Sequence, residues 1–242
     1  MKSFLKGLGI LVFAILMGCC LGLFSFAWAG PQTFLSTPIS IAVISGESKA
    51  DFEAKVAPLL KEQLKSCSSC SFQNLTPYRE DGKISVPQIS TSLEAAGSSS
   101  SFILIQWNGK VTDETKPVLV AVKKILQNGT LIVGSAGLAK EPDPTLPLNK
   151  TVLGQATGVI VIGDLAERER LLTQSYFGPE MLTALKPPRE YVGMGVSSIF
   201  FATRLASQWS KRSGKEWLTY FQSVKNKVRR LWPELEDFFG RN

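Results

Sequence analysis

Four short apolar segments, separated by helical patterns, constrain the fold of this chain most strongly. They are rich in Val, Ile and Leu, and they cover residues 39–44, 102–107, 130–135 and 158–163. Between them, apolar residues recur at helical spacing over 49–65 and 117–127. Uniformly apolar strands that alternate with helices are typical of a mostly parallel sheet buried on both faces. The sequence therefore predicts a three-layer α/β fold whose ligands bind beyond the carboxyl ends of the strands.

The N-terminal segment, 1–29, has the composition of an export signal. Two lysines precede an uncharged apolar segment, 7–29, which ends in the small-residue pattern Ala-Trp-Ala. A basic start, an apolar centre and an A-x-A end are the three parts of a secretory signal peptide. We therefore expect cleavage between Ala29 and Gly30, and a secreted or periplasmic product.

Two other processing routes are compatible with the same residues. The uncharged segment 7–29 is long enough to span a bilayer, so the N-terminus can instead be an uncleaved membrane anchor. The sequence Leu-Met-Gly-Cys at 16–19 resembles a lipoprotein site, which would leave a lipidated Cys19, although the apolar segment continues beyond it. The expected organisation is a signal peptide at 1–29, an α/β domain at 30–210 and a basic amphipathic helical tail at 211–242.

The chain contains no histidine. This excludes a Ser-His-Asp triad, a histidine general base and a zinc site with histidine ligands. The net charge of +7 arises at the two ends, because residues 30–203 contain 16 basic and 16 acidic side chains. We predict no metal, no cofactor and no nucleic-acid partner for this domain.

Cys67 and Cys70 are the only cysteines beyond the predicted signal peptide. A C-x-x-C pair can be a redox motif, half of a zinc site or a local disulfide. Zinc is disfavoured because no second pair and no histidine exist, and the pair follows a predicted helix rather than beginning one, as a redox motif does. In an exported protein, we therefore expect a structural disulfide between Cys67 and Cys70.

Six sequence motifs follow one another in a particular order. Residues 41–46 read IAVISG, 102–107 form an apolar strand, and 118–138 form a helix and strand that end in SAGL. They are followed by GVIVIG at 158–163, QSYFGPEMLTALKP at 174–187 and GVSSIFFA at 195–202. In their order and spacing, over about residues 38–210, these motifs resemble the subtilisin-like serine protease family.

The resemblance implies a degenerate active site. Ser45 stands where the family has its catalytic Asp, and Leu138 stands where it has the Asn that stabilises the oxyanion. Ser197 is the nearest match to the nucleophile, with Ser198 as the alternative in a degraded motif. Because a serine hydroxyl without an adjacent base is a poor nucleophile, no catalytic residue is expected.

Three functions are compatible with this sequence. The first is an exported, catalytically inactive subtilisin-like domain that binds a peptide or a protein. The second is a secreted serine hydrolase that uses Ser197 with an unrecognised base. The third is an unrelated exported α/β binding module.

Simpler structural roles are predicted for several of the polar residues. Ser197 and Ser198 precede a predicted helix, where serine commonly caps the first turn. Asp164, Glu167 and Glu169 alternate with two arginines, which favours a solvated charged face over a pair of acid–base catalysts.

The tail contains a regular apolar stripe. Its residues recur at spacings of 4 and 3, as in a coiled-coil seam, and are Trp217, Phe221, Val224, Val228, Leu231, Leu235 and Phe238. Such a stripe must be covered. It packs on its own domain, or it binds a partner helix or an anionic membrane surface.

Overall fold

In a computed structural model of the protein, residues 38–139, 147–165, 174–191 and 194–227 are described. Within these ranges, six strands form one parallel sheet in the order β2-β1-β3-β4-β5-β6. The strands are β1 (Ile39–Ile44), β2 (Cys70–Asn74), β3 (Phe102–Ile105), β4 (Leu131–Ser135), β5 (Ile160–Asp164) and β6 (Met181–Leu185). The predicted parallel α/β architecture is confirmed.

Five helices cover the sheet in the described part of the chain. The first, α1, consists of Lys49–Asp51, a π-helical turn at Phe52–Val56 and the regular segment Ala57–Leu64. The others are α2 (Ile89–Ser99), α3 (Lys116–Gln127), α4 (Val196–Gln208) and α5 (Gly214–Lys227). The π-helical turn ends two residues before Pro58, which has no N–H for the regular bonding pattern.

The two faces of the sheet contact different helices because successive strand residues point to opposite sides. On one face, Ile41 and Val43 of β1 pack in a cluster with α1, α4 and α5. On the other face, Ala42 and Ile44 pack in a cluster with α2 and α3. Both faces of the sheet are therefore buried, which explains why these strands have no polar alternation.

The two cysteines beside β2 form a disulfide. Cys67 and Cys70 are bonded, with their Cα atoms 5.3 Å apart, in the turn that leads into β2. The predicted local disulfide is present in the structure.

Helix α5 packs on the domain rather than standing apart from it. Trp217 is 1% exposed and Phe221 is equally buried, and both belong to the cluster that contains α1 and α4. For these two side chains, the structure therefore shows the first of the two alternatives that the sequence left open, which is packing on the chain's own domain. Val224 is half-buried against the same cluster.

Several predicted features lie outside the described residues. These are the signal peptide with its cleavage site Ala29–Gly30, the alternative lipidation site Cys19, Glu167 and Glu169 of the predicted charged face, and the stripe residues Val228, Leu231, Leu235 and Phe238. In the part of the chain that is described, no helix is both long enough and apolar enough to cross a membrane.

Candidate functional site

The carboxyl ends of five strands lie along one edge of the sheet, and α4 begins at this edge. The residues at or just beyond these ends are Ser45 (β1), Gln106 (β3), Ser135 (β4), Asp164 (β5) and Leu185 (β6). Four of them, all except Ser45, contact residues 194–197. Parallel sheets usually bind ligands at this edge. Ser197, the nearest match to the family's nucleophile, therefore lies close to the ligand-binding edge of the sheet.

Asp164 caps the first turn of α4. Its Oδ2 accepts the N–H of Gly195 at 2.9 Å, and its Oδ1 accepts the N–H of Ser197 at 3.0 Å. Asp164 is 5% exposed, so the prediction that it lies on a solvated charged face is wrong. Asp164 is the last residue of β5, whereas α4 begins much later in the chain, at Val196. The first N–H groups of a helix have no partner within the helix, and here the carboxylate of Asp164 accepts them.

Burial raises the pKa of Asp164 above its ordinary value. Hydrogen bonds from Ser197 and from the backbone of Gly195 and Val196 oppose this effect, because they favour the charged carboxylate. Desolvation is the larger of the two influences. The fold therefore buries the carboxylate of Asp164, at a cost in desolvation free energy, beside the backbone of Ser197, the residue that matches the family's nucleophile.

Ser197 is fully enclosed. It is 0% exposed, and its hydroxyl donates to the carbonyl of Leu185 at 2.9 Å. Ser198 is also buried, and its hydroxyl donates to the carbonyl of Gly195 at 2.6 Å. The prediction that these serines cap α4 is wrong, since both hydroxyls donate to carbonyls and the helix is capped by Asp164.

Gly195 allows α4 to begin close to β4. Its φ of 66° lies in the left-handed region, and a Cβ placed on it would lie 2.8 Å from Oγ of Ser135. Oγ of Ser135 in turn accepts the N–H of Gly137 at 3.1 Å. The close approach of α4 to the sheet therefore requires glycine at this position.

Gln106 was not identified from the sequence as a site residue. It is 5% exposed, its Nε2 donates to the carbonyl of Met194 at 3.3 Å, and its Oε1 is buried without a hydrogen-bond partner. Its position directly beyond β3, the strand predicted to reach the ligand-binding edge, is the sequence signal that points to it.

Ser45 and Leu138, the two other family positions, have structural contacts. The N–H of Ser45 donates to Oγ1 of Thr76 at 2.7 Å, and its Oγ accepts the N–H of Glu47 at 3.0 Å. Leu138 forms an isolated antiparallel bridge with Ser175. Neither side chain supplies the carboxylate or amide that the family has at that position.

Glu47 is the acidic side chain nearest in sequence to the end of β1. It is half-buried, and this burial raises its pKa above the ordinary value. The neighbouring charge of Asp51 adds to the increase in pKa, whereas Lys55 opposes it. Among the described residues, no group of three or more Cys, Asp or Glu side chains is arranged to hold a metal ion.

Comparison with solved structures identifies the fold of this chain. No protein-family model matches the sequence, and no curated protein matches it. Solved structures do match. The fold is subtilisin-like.

The matching structures cover most of the chain at low sequence identity. A cold adapted subtilisin-like serine proteinase matches with a TM-score of 0.61 at 10% identity, over 83% of this chain and 86% of that chain. The self-cleaved protease domain of PatA matches with a TM-score of 0.55 at 13% identity, over 83% and 95%. A lanthipeptide protease matches with a TM-score of 0.56 at 12% identity, over 78% and 80%. The resemblance inferred from the order of the motifs is therefore supported at the level of the fold.

Proposed function

We propose that this chain is an exported, catalytically inactive subtilisin-like domain that acts by binding a peptide or a protein. The observation that carries this proposal is the arrangement at Ser197, whose hydroxyl and N–H both have partners inside the domain. The fold favours this proposal over an unrelated α/β binding module.

The first support for inactivity is the absence of a histidine base. A serine hydroxyl needs an adjacent group that removes its proton, and the chain has no histidine for this role. The hydroxyl of Ser197 donates instead to a backbone carbonyl, which cannot hold the proton.

The second support is the charge beside Ser197. In acyl transfer by serine enzymes, the backbone N–H of the nucleophile helps to stabilise the negative oxygen that develops on the substrate. Here the N–H of Ser197 already donates to the carboxylate of Asp164. A second negative oxygen at that place would be repelled, so the geometry opposes the transition state that such an enzyme must stabilise.

The alternative is a hydrolase that uses Ser197 with an unrecognised base. The two functions are separated with a fluorophosphonate probe and with peptide cleavage, comparing the protein with Ser197→Ala. We expect no labelling and no cleavage above the variant. Labelling of Ser197, or activity that Ser197→Ala removes, would establish the hydrolase.

A binding role is supported by the side chains at the carboxyl edge of the sheet. Gly46 is exposed there and lies against the carbonyl of Gln106, and Glu47 and Trp107 beside it are half-buried. These residues leave backbone, an acidic group and an aromatic ring accessible at the edge where parallel sheets bind ligands. A peptide with a basic side chain is the ligand that this edge favours.

Selection from a displayed peptide library tests the binding role. Peptides selected on the protein should lose their affinity for Glu47→Arg and keep it for Glu62→Arg, a matched change at an exposed position of α1. Equal affinity for both variants would place the binding surface elsewhere.

Export is proposed from the N-terminal sequence alone. The intact mass of the exported protein should correspond to a chain that begins at Gly30. A chain that begins at a lipidated Cys19, or a full-length chain retained in the membrane, would replace this proposal with one of the other two routes.

A further inference from the structure

Two Asn-Gly pairs occur in the chain, at 108–109 and at 128–129. In such a pair, the backbone nitrogen of glycine can attack the side-chain carbonyl carbon of asparagine, because glycine has no side chain to obstruct the approach. The attack needs a side-chain amide that is free to turn, open space at the glycine and a backbone nitrogen that can leave its hydrogen bond. The structure gives the two pairs opposite surroundings.

The pair at 128–129 lies at the exposed end of α3. Asn128 follows the last residue of the helix and is exposed, and no described residue forms a hydrogen bond with its side chain. Gly129 has a φ of 85°, and a Cβ built on it would find nothing within 4 Å, so the space around it is open. The N–H of Gly129 donates to the carbonyl of Leu126 at 3.0 Å. This bond belongs to a helix end, where bonds open at little cost in free energy.

Asn108, in the other pair, is fixed by hydrogen bonds inside the domain. It is 7% exposed, and its Nδ2 donates to the carbonyl of Ala136 at 2.8 Å and to Oγ1 of Thr151 at 3.1 Å. Its Oδ1 accepts the N–H of Leu153 at 3.1 Å. The side chain can turn toward the next residue only by breaking these buried bonds and leaving their partners unpaired, which is costly.

We propose that Asn128 is a site of spontaneous deamidation in the folded protein, where it converts to aspartate and isoaspartate, and that the fold protects Asn108. The nitrogen of Gly129 loses its proton and forms a bond to Cγ of Asn128. The bond from Cγ to the side-chain nitrogen breaks, and that nitrogen leaves as ammonia with the proton. Water then opens the resulting cyclic imide at either carbonyl, which gives the two acids. Nothing is oxidised or reduced, and water is the only co-reactant.

The modification changes the turn between α3 and β4. Both products carry a new negative charge at the carboxyl end of α3, where the helix dipole disfavours it. Isoaspartate also inserts the Cβ of the residue into the backbone, directly before Gly129. This site is independent of the function proposed for the carboxyl edge of the sheet.

Incubation of the intact protein at neutral pH, followed by peptide mapping with mass spectrometry, measures both pairs in the same molecule. In the folded protein, we expect Asn128 to convert to the acid about tenfold or more faster than Asn108, because the buried bonds of Asn108 must break first. Methyl transfer by an isoaspartyl methyltransferase identifies the isoaspartate. Protein unfolded in guanidinium chloride is the matched control, and there the difference between the two pairs should disappear.

The comparison has three outcomes that would overturn the proposal. They are an Asn128 that remains an amide in the folded protein while it reacts in the unfolded chain, equal rates for the two pairs in the folded protein, and a difference of the same size in the unfolded chain. In the last case the neighbouring residues, and not the fold, would set the rates. Asn128→Gln, whose longer side chain closes the ring slowly, should remove the methyl acceptance of the folded protein.

Discussion

The carboxylate of Asp164 accepts the N–H of Ser197 at 3.0 Å, although the two residues lie 33 positions apart in the chain. The bond joins the end of β5 to the start of α4. It replaces the side-chain cap that the residues before α4 do not provide, since Gly195 has no side chain. The contact therefore holds α4 on the sheet, and it also places a negative charge beside the serine that resembles a nucleophile.

Asp164→Asn should destabilise the fold by about 1–3 kcal/mol at pH 7. One carbonyl oxygen remains to accept an N–H, but the new amide group presents a donor to the other N–H, which is left buried and unpaired. The measurement is urea unfolding followed by circular dichroism. Asp113→Asn, an exposed position, is the control and should have no measurable effect. An unchanged midpoint in Asp164→Asn would show that the cap contributes nothing.

The penalty of Asp164→Asn should also depend on pH. Because burial raises the pKa of Asp164, the folded protein binds its proton more tightly than the unfolded chain does. The resulting stability is fully present below the ordinary pKa of about 3.9 and is lost as pH rises through the pKa in the folded state. The difference in unfolding free energy between the protein and the variant should therefore shrink from pH 4 to pH 7. A difference that grows over this range would mean that the hydrogen bonds outweigh burial and lower the pKa.

Much of the sheet was predictable because its strands are apolar on both faces. The segments at β1, β3, β4 and β5 were each identified from composition, because a short and uniformly apolar segment is typical of a parallel strand buried on both faces. Strand β6 was not identified. It lies at the edge of the sheet with half-buried residues, and its sequence, MLTAL, is equally compatible with a helix or a loop.

The site was predictable only in part, because its contacts join distant residues. The order of the motifs placed Ser197 just before a helix, and in the structure it lies in the first turn of that helix. The role of Asp164 was missed because its neighbours at 166–170 are strongly charged and favoured an exposed face. Whether a residue at the end of a strand is buried depends on the helix that covers it, and here that helix begins at Val196.

Trp217→Ala should destabilise the domain by about 3–5 kcal/mol, because it removes a large side chain from a closely packed cluster. The indole stacks on Phe221 with ring centroids 5.4 Å apart, and the guanidinium of Arg212 lies 4.7 Å from the ring centre. Thermal melting measures the loss. Lys215→Ala, an exposed change in the same helix, should change stability little. Equal melting of both variants would mean that α5 is not part of the core.

Removal of the disulfide by Cys67→Ser with Cys70→Ser should cost about 2 kcal/mol or less, because the entropy removed from the unfolded chain is small for a short loop. The bond closes a loop of few residues. Ser68→Ala, in the same turn, is the control. Thiol titration of the unfolded exported protein should find neither cysteine free before reduction. Two free thiols would contradict the disulfide, and a loss well above this value would show that it supports β2 in another way.

Gly195→Ala should reduce stability in two ways, through backbone strain and through a steric contact at the start of α4, and comparison with a second glycine separates the two. The left-handed backbone alone costs a residue with a side chain about 1–2 kcal/mol. Gly129→Ala measures this cost by itself, because Gly129 has a φ of 85° and nothing lies within 4 Å of an added Cβ. At Gly195 the added Cβ also meets Ser135, which should add about 1–3 kcal/mol. Gly195→Ala should therefore destabilise the fold clearly more than Gly129→Ala.

A double variant identifies the source of that excess. In a Ser135→Ala background the Oγ contact at 2.8 Å is removed, but the Cβ contact at 3.1 Å remains. The penalty of Gly195→Ala should then fall part of the way toward that of Gly129→Ala, as measured by urea unfolding of all four proteins of the cycle. If the penalty does not depend on Ser135, or if Gly195→Ala costs no more than Gly129→Ala, then α4 does not approach β4 as closely as this structure has it.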